Sequence, residues 1–249
     1  MTGLDPTGFR WRLHGPPGPP MPLALLLGEA VRASVFRAAE KIGLMPLPAA
    51  FHGGDGHGHA HWLSEDMDAD GLADHVTLHA PSGLPEKLLP VLARGLPVAL
   101  RLVTGARLPA VGEWRLTPIW FGRDGPTRLW GPGQAWVSET PFVTPDWVTR
   151  KGDLHGRIRP GRDVAAQVQK ELARRDLPPA QSIEVLPGAG PALHWVGPQG
   201  AARSQHHSPP PDATAARLRL QFAVAMSGPL ALGFAAHFGL GLLTAEDAR

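Results

Sequence analysis

FRWRLHGPPGPPMPLALLLGEAVRASVFRAAEKIG, residues 9–43, is the stretch on which the fold class turns. Its first six residues alternate weakly and predict a short strand over 9–14. The GPPGPP run at 15–20 ends that strand, because proline cannot donate to a ladder. Ala24, Leu27, Val31, Val35, Ala38 and Ile42 then recur at helical spacing. Glu29, Arg32, Arg37, Glu40 and Lys41 face away from that stripe, so a helix is expected over 23–42, capped by Gly43. A strand that feeds a helix through a proline-rich break is the opening of a β-α-β unit.

Beyond this helix, FHGGDGHGHAHW (51–62) reads as a His/Gly loop and SEDMDADGLAD (64–74) as an acidic stretch. DHVTLHA (74–80) alternates as a strand, 85–94 reads as a short helix carrying Pro90, and PVALRLVTG (97–105) as a strand. Through residue 105 the order is taken as strand, helix, strand, strand, helix, strand. Further on, strands are expected at 113–121 and 134–143. DVAAQVQKELARRD (163–176) is a helix with Asp163 as N-cap and Val164, Val168 and Leu172 on one face. SIEVLP (182–187) and ALHWVG (192–197) read as a strand pair around PGAGP. RLRLQFAVAM (217–226) alternates as a strand through Leu218, Leu220, Phe222, Val224 and Met226. AARSQHHSPPPDATA (201–215) has no period and reads as a loop. SGPLALGFAAHFGLGLL closes the chain as a Gly-rich loop and a last short strand. The sum is an α+β protein of two βαββαβ-like, ferredoxin-like halves with antiparallel sheets, the second irregular, divided into 1–108 and 109–249.

Composition narrows the chemistry. The 249 residues include 30 Gly and 28 Pro, which predicts many turns, and no Cys. Disulfide frameworks, thiolate zinc sites and a cysteine nucleophile are thereby excluded. The longest early apolar run, PLALLLG (22–28), is too short to span a bilayer, and nothing frames it as a signal peptide. The chain therefore reads as soluble and cytoplasmic, with no membrane partner. Residues 51–86 carry seven acidic side chains and no Lys or Arg, whereas 87–249 carry nineteen basic against twelve acidic. Only Lys41, Lys87, Lys151 and Lys170 are lysines among 24 basic residues. Arginine's planar fork suits phosphate and stacks on bases, so a polyanion is one natural partner. A genome that writes Arg for Lys is the other explanation.

Three motifs carry possible chemistry. In GHGHAHW (56–62), His57, His59 and His61 alternate, so an extended segment points all three to one side, roughly 6–7 Å apart. Imidazoles so placed can move protons near neutral pH or chelate a metal, while a solvated His/Gly loop would need neither. Asp66, Asp68, Asp70, Gly71 and Asp74 fall at positions 1, 3, 5, 6 and 9 of a calcium-type loop, but position 12 is Thr77 where a Glu is wanted. An acidic turn capping the next strand is the plainer reading of that loop. The C-terminal Gly228, Gly233, Gly239 and Gly241, with His237 among them, could let a backbone approach phosphate closely.

Taken together, GHGHAHWLSEDMDADGLADHVTLHAPSGL, WVSETPFVTP and SGPLALGFAAHFGLGLL resemble, in this order, segments of the CRISPR-associated fusion protein of type I-U (I-G) systems. That protein joins a Cas-five-like half to a repeat-cleaving Cas-six-like half, both of the RAMP superfamily. The resemblance covers most of 20–245 and corresponds to the Cas-six-like half. It implies tandem ferredoxin-like folds and an endoribonuclease that cuts CRISPR precursor RNA within its repeats without metal. A 2′-hydroxyl would attack the adjacent phosphate, leaving a cyclic phosphate and a 5′-hydroxyl. The implied partners are a repeat stem-loop and other effector subunits, a Cas-five-like half among them, with no cofactor. Gly233, His237, Gly239 and Gly241 match the superfamily's RNA-holding loop. His59 is the first candidate for the general base, His57 the second and His14 the third. His61 ranks below them, because the family accepts an aromatic there. Arg32 or Arg37 would supply the cation for the transition state. Two other classes remain open: a non-catalytic RNA-binding subunit, and a metal-dependent hydrolase built on His57, His59, His61 and Asp66 or Asp74.

Overall fold

The computed structural model describes residues 6–52, 58–100, 112–149, 156–196, 210 and 212–246. By contacts the chain forms two compact units, Met1–Gly125 with His237–Gly239, and Pro126–Ala236 with Leu240–Arg249.

The first unit holds β1 (Gly8–His14), α1 (Ala24–Lys41), α2 (Ala49–His52), β2 (His61–Glu65), β3 (His75–His79), α3 (Leu89–Leu92), β4 (Leu96–Ala99) and β5 (Glu113–Gly122). Its sheet runs β2-β3-β1-β5-β4, and the described pairings are antiparallel. A βαββαβ unit puts its closing strand beside β1. Here β5 takes that place, and β4 is displaced to the edge. The pairing of β5 with β1 (Leu13↔Leu116, Phe9↔Phe121) holds residues 113–122 to the first sheet. The contact boundary accordingly lies at Gly125–Pro126, whereas the sequence reading placed it after 108.

Burial follows the expected periods. Leu27, Val31 and Val35 of α1 and Trp11, Trp62, Val76 and Leu78 of the strands are at most 1 % exposed. Removing each from water is worth roughly 1.5–3 kcal/mol before chain entropy is counted. Two side-chain bonds tie α1 to this face: Ser64 Oγ donates to Ala24 O at 3.3 Å and Ser34 Oγ to Pro97 O at 2.7 Å. The helix buries Ala39 in place of Ala38 and leaves Ile42 exposed, because it stops at Lys41 just as the stripe rotates away. The short helix expected over 85–94 is a 3-10 turn at Glu86–Leu88 running into α3.

The second unit holds β6 (Gly133–Ser138), β7 (Phe142–Val143), α4 (Val164–Arg174), β8 (Ala180–Leu186), α5 (Ala192–Val196), β9 (Ala215–Met226), β10 (Leu230–Ala231) and β11 (Leu242–Ala245). Its sheet path is β10-β11-β6-β9-β7, with β8 also on β9. Read as β8-β9-β6-β11, this is again the ferredoxin-like order, with the Gly-rich loop and a 3-10 turn (Ala236–Phe238) in place of a second helix. The second half is thus the irregular one, as expected. Asp163 caps α4, its Oδ1 accepting from Ala166 N at 2.9 Å. Val168 and Leu172 bury fully against Leu218, Leu220 and Phe222.

The 182–187 and 192–197 segments do not pair: β8 takes β9 as partner (Ile183↔Leu220), and ALHWV closes a helical turn. His194 N donates to Pro191 O and Trp195 Nε1 to Ala189 O, which satisfies that turn locally. Val224, expected to point inward, is 53 % exposed, within the irregular stretch between Gln221 and Met226 where the register of β6 on β9 shifts. The expected loop at 201–215 lies mostly outside the described residues.

Candidate active site

The first unit gathers four imidazoles. Directly opposed strand residues share a sheet face, so the pair His61↔His79 projects from one face of the β2–β3 edge. That face lies opposite the one carrying Trp62 and Ser64, against which α1 packs. Their rings lie 6.1 Å apart, centroid to centroid. His59 lies two residues before His61, so the alternation of an extended chain brings it to the same side, as the sequence predicts.

The fourth ring comes from the C-terminal loop. His237 stands 5.1 Å from His59 at 86° and 5.0 Å from His61 at 64°. Two glycines permit this approach. A Cβ at Gly28 of α1 would lie 2.8 Å from Trp62 O and 3.1 Å from Phe238 Cα. Gly239, at φ +87°, passes 3.3 Å from Ser64 N, measured from where its Cβ would be. Small residues on both sides therefore let residues 237–239 pack into the first unit.

His59 and His61 are each 9 % exposed, while His237 and His79 are half-buried. Burial pushes the His79 pKa down to about 4, so this ring is neutral at physiological pH. Neighbouring imidazoles with different exposure suit general acid–base chemistry, in which one ring accepts a proton as another delivers one.

Beside the histidines on the same face lies a buried polar network. Arg10 Nε donates to Glu65 Oε1 at 3.0 Å, and Thr77 Oγ1 donates to the same oxygen at 2.6 Å. All three residues are at most 6 % exposed.

The remaining candidates are dispersed. His57 lies outside the described residues. His14 is exposed at the end of β1, in register with Arg115 and away from the imidazole cluster. Arg32 is engaged within the protein: Nε donates to Phe51 O at 3.1 Å, and the guanidinium lies 4.4 Å from the Phe36 ring centre. Arg37 is exposed and donates through Nη2 to Ser34 Oγ at 3.0 Å.

Gly233 and Gly241 belong to the second unit, where both are closely packed. Gly233 N donates to Glu171 Oε2 at 3.1 Å and Gly241 N to Pro141 O at 2.9 Å. Burial pushes the Glu171 pKa up, but Arg175, Arg174 and that Gly233 amide together outweigh it and hold the carboxyl below the ordinary glutamate range. A Cβ at Gly241, at φ +61°, would stand 1.8 Å from Leu232 O.

Among the described residues, the only set of three or more ligand-type groups within 4.8 Å of one another is Asp66, Asp68 and Asp70. Their carboxylates accept from backbone amides of their own loop: Asp66 from Asp70 N and Gly71 N, and Asp70 from Leu72 N. His61, ranked low from sequence, and His79, not singled out at all, are the members of the cluster that sequence reasoning missed. The alternation of HVTLH held the signal for His79.

Two antiparallel sheets, each in ferredoxin-like order, place the chain among tandem ferredoxin-like α+β proteins. Among solved structures it is similar to the Cas6 (TTHA0078) product complex, at 17 % identity and a TM-score of 0.46 over 98 % of this chain and 100 % of that one. It is also similar to the Cas6 (TTHB231) product complex, at 14 % identity and a TM-score of 0.41 over 97 % and 99 %. No family model and no curated protein matches the sequence. Among the described residues no helix is long and apolar enough to cross a membrane.

Proposed function

We propose that the chain is an endoribonuclease that cuts CRISPR precursor RNA within its repeats. The observation that carries this reading is the convergence of His59, His61 and His237, from two distant segments that both belong to the sequence resemblance. His59 takes the proton from the ribose 2′-hydroxyl, and the resulting oxyanion attacks the adjacent phosphorus. The P–O5′ bond breaks, leaving a 2′,3′-cyclic phosphate. His237, the more exposed partner, returns a proton to the departing 5′-oxygen. Such a step balances without a metal ion, which makes activity in chelator part of the proposal. The partners that go with it are the repeat stem-loop and other effector subunits, in the cytoplasm.

The test is product chemistry on the chain's own repeat RNA. A 2′-deoxy substitution at the nucleotide before the cut is expected to abolish cleavage, and the normal product is expected to end in a cyclic phosphate. A 3′-hydroxyl product, or cleavage of the deoxy substrate, contradicts it. The burial of His59 and His61 to 9 % exposure favours a second reading, a subunit that grips repeat RNA without cutting it. Binding with no product from wild-type protein would select that one.

A further inference from the structure

Opposite the α1 side, the central strands of the first sheet carry a basic strip with no role so far. Trp11 faces α1's side, so Arg12 and His14 do not share a face with it: Arg12 projects from the opposite face, and His14 follows two residues on. Cross-strand register sets Arg12 beside Thr117, and His14 beside Arg115, which in turn pairs with Pro97 of β4. All five are exposed. Among the described residues neither Arg12 nor Arg115 makes an ion pair or a side-chain hydrogen bond. Arg115 lies across Gly95, where a Cβ would come within 2.8 Å of its Nε. The missing side chain thus leaves room for the guanidinium against the backbone. Farther along the same face the half-buried Trp120 stands opposite Arg10. Glu113, exposed one step beyond Arg115, bounds the strip with a negative charge.

We propose that Arg12 and Arg115, flanked by His14, bind successive phosphates of single-stranded RNA on this open sheet face. Adjacent cross-strand rows are roughly 6–7 Å apart along a strand, close to the phosphate step of an extended nucleic acid. An exposed pleated face with short side chains (Thr117, Pro97) and a nearby indole leaves space for splayed bases. A duplex offers no such access. The proposal rests on the reading of the chain as an RNA-processing protein and extends it to a second contact surface.

The probe is poly(U) of about twelve nucleotides, titrated against the full chain. Each phosphate contact to a single strand contributes roughly 0.7 to the slope of log K against log salt. The Arg12→Gln/Arg115→Gln pair is therefore expected to bind about 20-fold more weakly at 0.1 M salt, with the slope reduced by about 1.4. Each single variant should show about a fivefold loss, so the singles decide the matter if the pair fails to fold. Lys87→Gln/Arg123→Gln removes the same charge from exposed positions elsewhere and is expected to stay within twofold of wild type. Wild-type affinity in the arginine variants, an equal loss in the control, or an equal loss on a blunt RNA duplex would each overturn the proposal. Because poly(U) contains no repeat, failure of repeat cleavage leaves this outcome readable, and the converse also holds.

Discussion

His237 stands edge-on to His59, ring centres 5.1 Å apart and planes at 86°, although 178 positions separate them in the chain. A loop that closes the sequence thus completes a cluster begun in its first quarter. The same ring lies 5.0 Å from His61. On this arrangement His237→Ala should lower the cleavage rate by about 10²–10⁴-fold, the range for loss of a positioned acid or base. Single-turnover cleavage at saturating protein measures it, with RNA binding unchanged. A rate within a few-fold of wild type would remove His237 from the chemistry.

His79 carries a pH signature. Its pKa falls from 6.5 to about 4 on folding, so between those values the unfolded chain binds the proton that the folded chain refuses. The sign follows: this contribution to stability is fully present above pH 6.5 and is lost as pH falls towards 4. It amounts to about 3 kcal/mol at most. His79→Gln should flatten the dependence of the melting temperature on pH across that window. An unchanged slope would mean that the ring is not held neutral by burial.

The Arg10–Glu65 pair is buried on both sides, at 7 % and 5 % side-chain exposure. Arg10→Met withdraws the guanidinium from a carboxylate that cannot reach water, and should cost about 3–5 kcal/mol in urea unfolding. Adding Glu65→Gln removes the buried charge and should restore most of that loss. Two destabilisations that simply add would show that the pair is not coupled.

Gly241 is held by geometry. Gly241→Ala puts a Cβ 1.8 Å from Leu232 O at a φ of +61°. A loss of at least about 3 kcal/mol is expected in the absence of any RNA. A wild-type melting temperature would contradict the close approach.

Much of this was legible where one period dominates. The α1 stripe and the alternation of β9 as far as Phe222 each report a single buried face, and the Asp163 cap marks where α4 starts. The ALHWV segment misled because a five-residue apolar run suits either state, and β8 found its partner in β9, far along the chain. β2 was obscured by the glycines before it and the aspartates after it, so its alternation shows only once β3 is laid alongside. Within the site, the alternation of His59 and His61 was readable. The arrival of His237 was not, because it depends on the room left by Gly28 and Gly239. The close packing of Gly233 and Gly241 was hidden for the same reason: sequence shows that a residue lacks a side chain, not which neighbour requires it.

Whether imidazole moves the protons is decided by cleavage of the chain's own repeat RNA in EDTA, with wild type and His59→Ala side by side. Full wild-type cleavage is expected in chelator, with a rate about 10²–10⁴-fold lower for the variant. Wild-type cleavage that appears only on adding a divalent ion, or a His59→Ala protein that cuts at the wild-type rate, would contradict proton transfer by imidazole.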